Sequence, residues 1–140
     1  MKLLVINGPN LNMLGKRDKS IYSEMTLESI NDMLVKRANG KASIEFFQSN
    51  HEGDIVGMIH RSDAEGIIIN AGAYTHTSIA IRDALLAVSK PFVEVHLSNV
   101  FSREDFRHVS YLSDIAKGVI TGFGAMSYAF ALDYFLEQNS

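Results

Sequence analysis

Gly66-Ile67-Ile68-Ile69-Asn70-Ala71-Gly72-Ala73-Tyr74-Thr75-His76-Thr77-Ser78 is the stretch of this 140-residue chain that decides its fold. Three consecutive isoleucines do not alternate with polar residues, so Gly66 to Asn70 reads as a strand covered on both faces, the pattern of a parallel sheet. Small residues follow. Thr77 or Ser78 then caps a helix carrying Ile79, Ile81, Ala84, Leu85 and Val88, and Pro91 opens the next strand, Phe92 to Leu97.

The same unit recurs on either side. Leu3 to Ile6 is a second continuous apolar run, stopped by Asn7-Gly8-Pro9. Leu27, Ile30, Met33, Leu34 and Ala38 then recur at helical spacing, with Thr26 as N-cap and Asn39-Gly40 as the stop. Ala42 to Phe47 reads as a strand, Asp54 to His60 as part of a helix and Gly118 to Thr121 as a fifth strand. The last helix, Ala125 to Glu137, is apolar around most of its circumference, so a partner subunit is expected to cover a second face. Five strands alternating with helices imply an α/β fold, a flavodoxin-like doubly wound five-stranded parallel sheet of order 2-1-3-4-5. Residues 1–140 are expected to form a single catalytic domain, since no linker or low-complexity tract interrupts them.

Composition narrows the function. The apolar content is 46% and the charged content 21%, ordinary for a globular domain. The formal charge of −3 and the lack of any basic run argue against nucleic-acid or anionic-membrane partners. Cysteine is absent, which removes disulfides and thiolate chemistry. The first apolar run is too short for a signal peptide or a membrane span, so a soluble cytoplasmic protein is expected. An anionic ligand must then be met by a few local groups, which directs attention to Arg17, Arg103 and Arg107.

In doubly wound sheets ligands bind beyond the carboxyl ends of the strands, where strand order reverses, here between strands 1 and 3. Three loops meet that condition: 8–22, 71–76 and 98–108. In the first, a tyrosine such as Tyr22 acts as a base only if its pKa, near 10 in model peptides, falls by roughly 2 to 3, about 3 to 4 kcal/mol of selective phenolate stabilisation. Arg17 in the same loop can supply much of that, or else Arg17 is solvated and Tyr22 covers the core edge. In the second, Asn70 and His76 offer uncharged hydrogen-bonding groups, Gly72 allows close approach and the following helix N-terminus suits an anion. The bland alternatives are a turn-forming Asn70 and a capping His76.

On strand 4 the period of two places Glu94, His96 and Ser98 on one side. His96 at the strand's carboxyl end suits a general acid oriented by Glu94, or the two form a structural pair. Arg103 and Arg107 lie four apart, a helical spacing that puts both on one face, for a substrate anion or for ion pairs with Glu104 and Asp105. Gly122-Phe123-Gly124 lacks the third glycine of a dinucleotide fingerprint, there is no P-loop, and the five histidines show no compact ligand spacing. No cofactor and no metal are expected.

Four segments together resemble the type II 3-dehydroquinate dehydratase family over residues 2 to about 135. They are Asn7-Gly8-Pro9-Asn10-Leu11-Asn12 with Leu14-Gly15 and Arg17; Gln48-Ser49-Asn50-His51-Glu52-Gly53; Asn70-Ala71-Gly72 with Thr75-His76-Thr77-Ser78; and Glu94-Val95-His96-Leu97-Ser98-Asn99-Val100, continuing through Arg103 and Phe106-Arg107 to Ser110-Tyr111. The resemblance implies dehydration of 3-dehydroquinate, a small anionic substrate, to 3-dehydroshikimate through an enolate, without metal or imine. By similarity Tyr22 is the base, Arg17 lowers its pKa, Asn10 holds a water near the enolate oxygen, and His96 is the acid supported by Glu94. Asn70, His76 and Arg107 bind substrate hydroxyls, the Leu97 backbone with Ser98 binds the carboxylate, and Asp83 reaches a neighbouring subunit's site. A homo-oligomer built from trimers, a dodecamer, follows from the same resemblance. Arg17-Asp18-Lys19 and Tyr22-Ser23 depart from the family's usual Arg-Glu-Pro and Tyr-Gly, and Phe101 stands where many relatives carry a polar aromatic or a histidine.

Two other classes stay open at this level. One is a flavodoxin-like binding module without dehydratase activity, although Asn7 stands where a receiver domain carries acidic residues and no hydroxyl-rich phosphate loop follows it. The other keeps the fold and site but loses the reaction, as a binding protein for a polyol acid or with another polyol acid as substrate.

Overall fold

A computed structural model of the chain describes residues 1–16 and 25–139. It forms one five-stranded sheet of β1 (Lys2–Asn7), β2 (Ser43–Gln48), β3 (Gly66–Asn70), β4 (Phe92–His96) and β5 (Gly118–Thr121), in the order β2-β1-β3-β4-β5. Every neighbouring pair is parallel, as the continuous apolar runs require. The crossovers carry α1 (Leu27–Ala38), α2 (Glu52–Arg61) and α3 (Ile79–Val88), and α4 (Met126–Gln138) closes the chain. Element ends differ from the sequence reading by one or two residues.

Strand alternation divides the interior into two cores. Leu4, Ile6, Ile67, Ile69 and Phe92 face α2 and α3, meeting Ile55, Ile59, Ile81 and Leu85. Leu3, Val5, Ile68, Val93 and Val95 face α1 and α4, meeting Ile30, Leu34, Tyr128, Leu132 and Phe135. Fully burying each such side chain contributes about 1.5–3 kcal/mol, so the central strands β1, β3 and β4 form the rigid part of the molecule. Polar groups placed at their carboxyl ends inherit that rigidity.

Local signals explain where the helices begin. Thr26 caps α1 reciprocally with Ser29: the Ser29 N–H donates to Thr26 Oγ1 at 3.1 Å and the Thr26 N–H to Ser29 Oγ at 3.0 Å. Asn39 ends α1 in the left-handed region. Of the two candidate caps for α3, Ser78 is the one used, accepting the Ile81 N–H at 2.9 Å.

One expectation needs correction. Arg103 and Arg107 do not share a helix face: Val100–Ser102 and Asp105–Arg107 are separate 3-10 turns, with Arg103 and Glu104 extended between them. The cause is local, because Asn99 Oδ1 accepts the Phe101 N–H and Ser102 Oγ donates back to the Asn99 carbonyl, closing one turn with no apolar stripe to continue it. The segment after β3 is likewise a 3-10 turn, Gly72–His76, before α3 begins at Ile79. At the start of α3, buried Ser78 caps the Ile81 N–H and donates to the Glu52 carboxylate. Among the described residues no helix is long and apolar enough to cross a membrane.

Candidate acid-base site

The register places Asn7 beside Asn70 at the carboxyl ends of β1 and β3, and His96 ends β4. The switch point of the sheet therefore carries polar residues, and the loops beyond it are interlocked. The Gly8 N–H donates to the Asn70 carbonyl at 2.8 Å. Gly72 adopts φ +59, and a Cβ there would come within 3.0 Å of the Pro9 carbonyl oxygen, so a glycine is needed for both conformation and space.

Asn10 lies on the first loop in the left-handed region at φ 70, a conformation asparagine tolerates better than most residues. Its N–H donates to Asn50 Oδ1 at 3.0 Å. Gln48 Nε2 donates to the same oxygen and to the Gly8 carbonyl, both at 3.1 Å, while Tyr74 donates to the Asn50 carbonyl at 2.8 Å. The segment from Gln48 to Asn50 thus fixes the path of the Asn10 loop. Arg17 and Tyr22, the expected base and its cation, lie outside the described residues.

At the end of β4, Glu94 and His96 form a buried pair, only 1% and 5% exposed. His96 Nε2 donates to Glu94 Oε2 at 2.5 Å. The other carboxylate oxygen accepts from Ser113 Oγ at 2.7 Å and Ser110 Oγ at 3.0 Å. Burial pushes the Glu94 carboxyl up, but the hydrogen bonds from His96 and Ser113, the His96 charge and the Ser110 hydrogen bond outweigh it and hold the group below the usual carboxylate range. With Nε2 turned to Glu94, the second ring nitrogen of His96, Nδ1, is the one left for a ligand.

His76 stacks beside His96, with ring centroids 6.3 Å apart and planes 18° from parallel. Its Nδ1 donates to the Val109 carbonyl at 2.8 Å, which fixes the ring's orientation and leaves Nε2 for a ligand. The Asn70 side chain is held at both ends: Nδ2 donates to the Tyr128 hydroxyl at 2.9 Å and Oδ1 accepts the Gly72 N–H at 3.2 Å. After β4, the Leu97 carbonyl accepts the Gly124 N–H at 2.9 Å and the Ser98 carbonyl accepts from Thr121 Oγ1 at 2.9 Å. These bonds lock the backbone of the loop that leaves His96.

Of the arginines, Arg107 is the less exposed and pairs with Glu104 at 3.2 Å; Arg103 lies 3.8 Å from the same carboxylate and reaches Ser98 Oγ at 3.5 Å. The ion-pair reading of these two residues is therefore realised, with Arg103 also touching the loop after β4. Asp83 is exposed on α3. Gln48, Asn50, Ser110 and Ser113 hold the site and had no role in the sequence reading. Three of them fall in the quoted segments, but their contacts span 16 to 40 residues and leave no local periodicity. Ser113 carried no signal at all.

Because Ser113 donates to an ionised acceptor, Ser113→Ala should destabilise the protein by about 1.5–3 kcal/mol at neutral pH. Glu94 has a depressed folded pKa, so its contribution is present above the ordinary carboxylate pKa and is lost as pH falls through the folded value. The difference between variant and parent in urea denaturation should therefore shrink towards acid pH. A gap that widens on acidification would show that Ser113 is not bonded to a carboxylate.

A doubly wound α/β protein with a buried carboxylate–imidazole pair at the carboxyl end of β4, one strand from its switch point, defines a class, that of α/β proteins whose strand ends carry acid–base groups. The particular family follows from comparison with known proteins. The family profile described as dehydroquinase class II matches residues 1–136. A 3-dehydroquinate dehydratase of Francisella philomiragia is 62% identical over 133 residues, covering 94% of this chain and 92% of its own. One from Prochlorococcus marinus is 60% identical over 136 residues, covering 95% and 94%. The crystal structure of a type II dehydroquinase from Butyrivibrio crossotus superposes with a TM-score of 0.90 at 47% identity, covering 98% of this chain and 97% of that one. The chain belongs to the class II dehydroquinase family.

Proposed function

We propose that this chain dehydrates 3-dehydroquinate to 3-dehydroshikimate by acid–base elimination through an enolate. The observation that carries the reading is the buried Glu94–His96 pair at the carboxyl end of β4, its carboxylate held below the usual carboxylate range, against burial, by His96, Ser113 and Ser110. Tyr22, as phenolate, takes a proton from C2, and the C–H electron pair moves into an enolate whose charge rests on the ketone oxygen. Arg17 stabilises the phenolate and Asn10 holds a water that donates to the enolate oxygen. The enolate then collapses to the C1–C2 double bond while the C1 hydroxyl leaves as water, with the proton supplied by His96. Tyr22 ends protonated and His96 deprotonated, so one proton must pass from the first to the second before the next turnover.

Glu94 lies on the far nitrogen of His96, where an ionised carboxylate offers a countercharge to the imidazolium that precedes proton transfer. Asn70, His76 and Arg107 bind hydroxyls, and the Leu97 backbone with Ser98 binds the carboxylate. Gly72 and Arg103 border the same space. The Arg17 role rests on the match of the segment from Asn7 to Arg17, and the Tyr22 role on its place five residues beyond that segment. No lysine imine takes part and no metal or other cofactor is required. The ultraviolet absorbance of the conjugated enone should rise when purified protein meets 3-dehydroquinate, and borohydride added with substrate should leave activity intact. Absence of turnover, or inactivation with a mass gain on a lysine, would sink the reading.

We assign the chain to the cytoplasm and to a dodecamer built from trimers. Phe101, Phe106, Val109 and Phe123 are each more than 60% exposed, and Phe130 on α4 is 40% exposed, more apolar surface than a free monomer usually shows. In that assembly Asp83, exposed on α3, reaches the site of a neighbouring subunit. Light scattering should give a mass twelve times that of the chain. A monodisperse, fully active monomer would remove both the assembly and the shared-site role of Asp83.

A further inference from the structure

Tyr128 comes from α4, an element that supplies none of the acid, base or binding groups assigned above, yet its hydroxyl lies at the switch point. The side chain is completely buried among the residues of the α1–α4 core. Phenylalanine would fill such a position without bringing a polar atom into it, so the hydroxyl must be satisfied locally or destabilise the fold. It is satisfied by two asparagines: it donates to Asn7 Oδ1 at 2.5 Å and accepts from Asn70 Nδ2 at 2.9 Å. Asn7 and Asn70 are register partners at the ends of β1 and β3. One hydroxyl therefore ties together the two strands between which the order reverses.

The Gly72 N–H can only donate, so the end of the Asn70 amide that meets it at 3.2 Å is the carbonyl. The opposite end, which faces Tyr128, is then the NH2 group, and the phenolic oxygen accepts from it. A phenol has a single proton, and here it goes to Asn7 Oδ1. A flipped amide would set N–H against N–H at Gly72 and would draw the phenolic proton away from Asn7. Burial also pushes the Tyr128 phenol far above its ordinary pKa, although the Asn70 bond works against this, so the proton is always present.

We propose that Tyr128 is a positioning residue for the dehydratase reaction, its hydroxyl holding the NH2 end of the Asn70 amide so that Asn70 meets the substrate in one fixed orientation. This rests on the reading that Asn70 binds a substrate hydroxyl. Asn70 then offers its second N–H and its second carbonyl lone pair in fixed directions, with no reorientation on binding. Taking the hydroxyl that Asn70 holds to be one that does not leave, Asn70 binds ground and transition states alike, and its loss of order appears in KM.

Steady-state kinetics of Tyr128→Phe, Asn70→Ala and the double variant test this. Tyr128→Phe should raise KM for 3-dehydroquinate roughly five- to thirty-fold, the worth of one oriented hydrogen bond, with kcat changed by less than about threefold. In the Asn70→Ala background the same change should raise KM by no more than about twofold, because Tyr128 acts through Asn70. A merely structural role would lower the melting temperature and the yield and leave KM where it was. An unchanged KM in folded Tyr128→Phe, or effects that multiply in the double variant, would overturn the proposal while leaving the Asn70 assignment in place. An unchanged KM in Asn70→Ala removes the assignment and the proposal together. If Tyr128→Phe does not fold, Asn7→Ala serves instead: it takes away the acceptor that commits the phenolic proton and leaves Tyr128 and Asn70 intact. A raised KM is expected there too, and an unchanged one overturns the proposal.

Discussion

Replacing His96 by alanine should lower turnover by roughly a hundredfold to ten-thousandfold, the usual worth of a positioned general acid, while exchange of the substrate's C2 proton with solvent persists. The two observations separate the half-reactions. Proton abstraction needs only the base and the groups around the enolate, whereas loss of the C1 hydroxyl needs the proton that His96 carries. The alanine variant has a second consequence, because it leaves the Glu94 carboxylate buried without its imidazole partner, still bonded to Ser110 and Ser113. Breaking a buried pair from one side is destabilising by about 3–5 kcal/mol, so lost activity in this variant mixes chemistry with folding. His96→Gln distinguishes them. A glutamine amide can donate to Glu94 but has no transferable proton, so it should match alanine in turnover and fall nearer the parent in denaturation midpoint. If the glutamine variant recovered turnover along with stability, His96 would be a structural residue and the acid would have to be sought elsewhere.

The parts of the molecule that were legible in the sequence share one physical cause: burial that repeats with a fixed period. Leu3 to Ile6 and Ile67 to Ile69 are buried on both faces of the sheet, so their uninterrupted apolar character announces a central parallel strand. Thr26 and Ser78 were legible because a cap sits at a set distance from the N–H it satisfies. Glu94 and His96 were legible because two residues on one strand, two apart, must share a face. Arg103 and Arg107 misled because their spacing fits a helix, but Phe101 and Phe106 beside them are exposed and no core exists on that side to sustain one.

What escaped the sequence was contact between loops. His76 is fixed by the carbonyl of Val109, and the Tyr111 N–H donates to the Thr75 carbonyl at 2.9 Å, so the segment that brings Ser110 and Ser113 under Glu94 is docked by backbone groups that every residue has. No side-chain pattern encodes such bonds. Likewise the tyrosine on α4 reads in the sequence as one more apolar residue of a helical stripe. Only the fold shows that its hydroxyl ends between two asparagines 121 and 58 residues away.

The loop after β1 holds the largest structural constraint. Gly8→Ala should destabilise the fold by several kcal/mol, about 3–5 if the loops stay in place, and should abolish activity even in the fraction that remains folded. A Cβ on Gly8 would overlap the Ala71 carbonyl oxygen and lie 2.5 Å from its carbonyl carbon and 3.1 Å from its Cα. The obstacle is backbone, not the tip of a side chain, so no rotamer change relieves it. Ala71 is itself completely buried, between Asn70 and Gly72, and cannot retreat. The chain must instead separate β1 from β3 at their carboxyl ends, which stretches the Gly8 N–H bond to the Asn70 carbonyl and the bridge from Asn7 through Tyr128 to Asn70. Asn10, two residues further on, moves with the loop. Chemical denaturation with the enzyme assay on the same samples checks both parts. A variant with the parent's midpoint would mean that the two loops are not packed against each other, and a destabilised variant with full turnover per folded molecule would mean that the close approach of Gly8 and Ala71 serves stability alone.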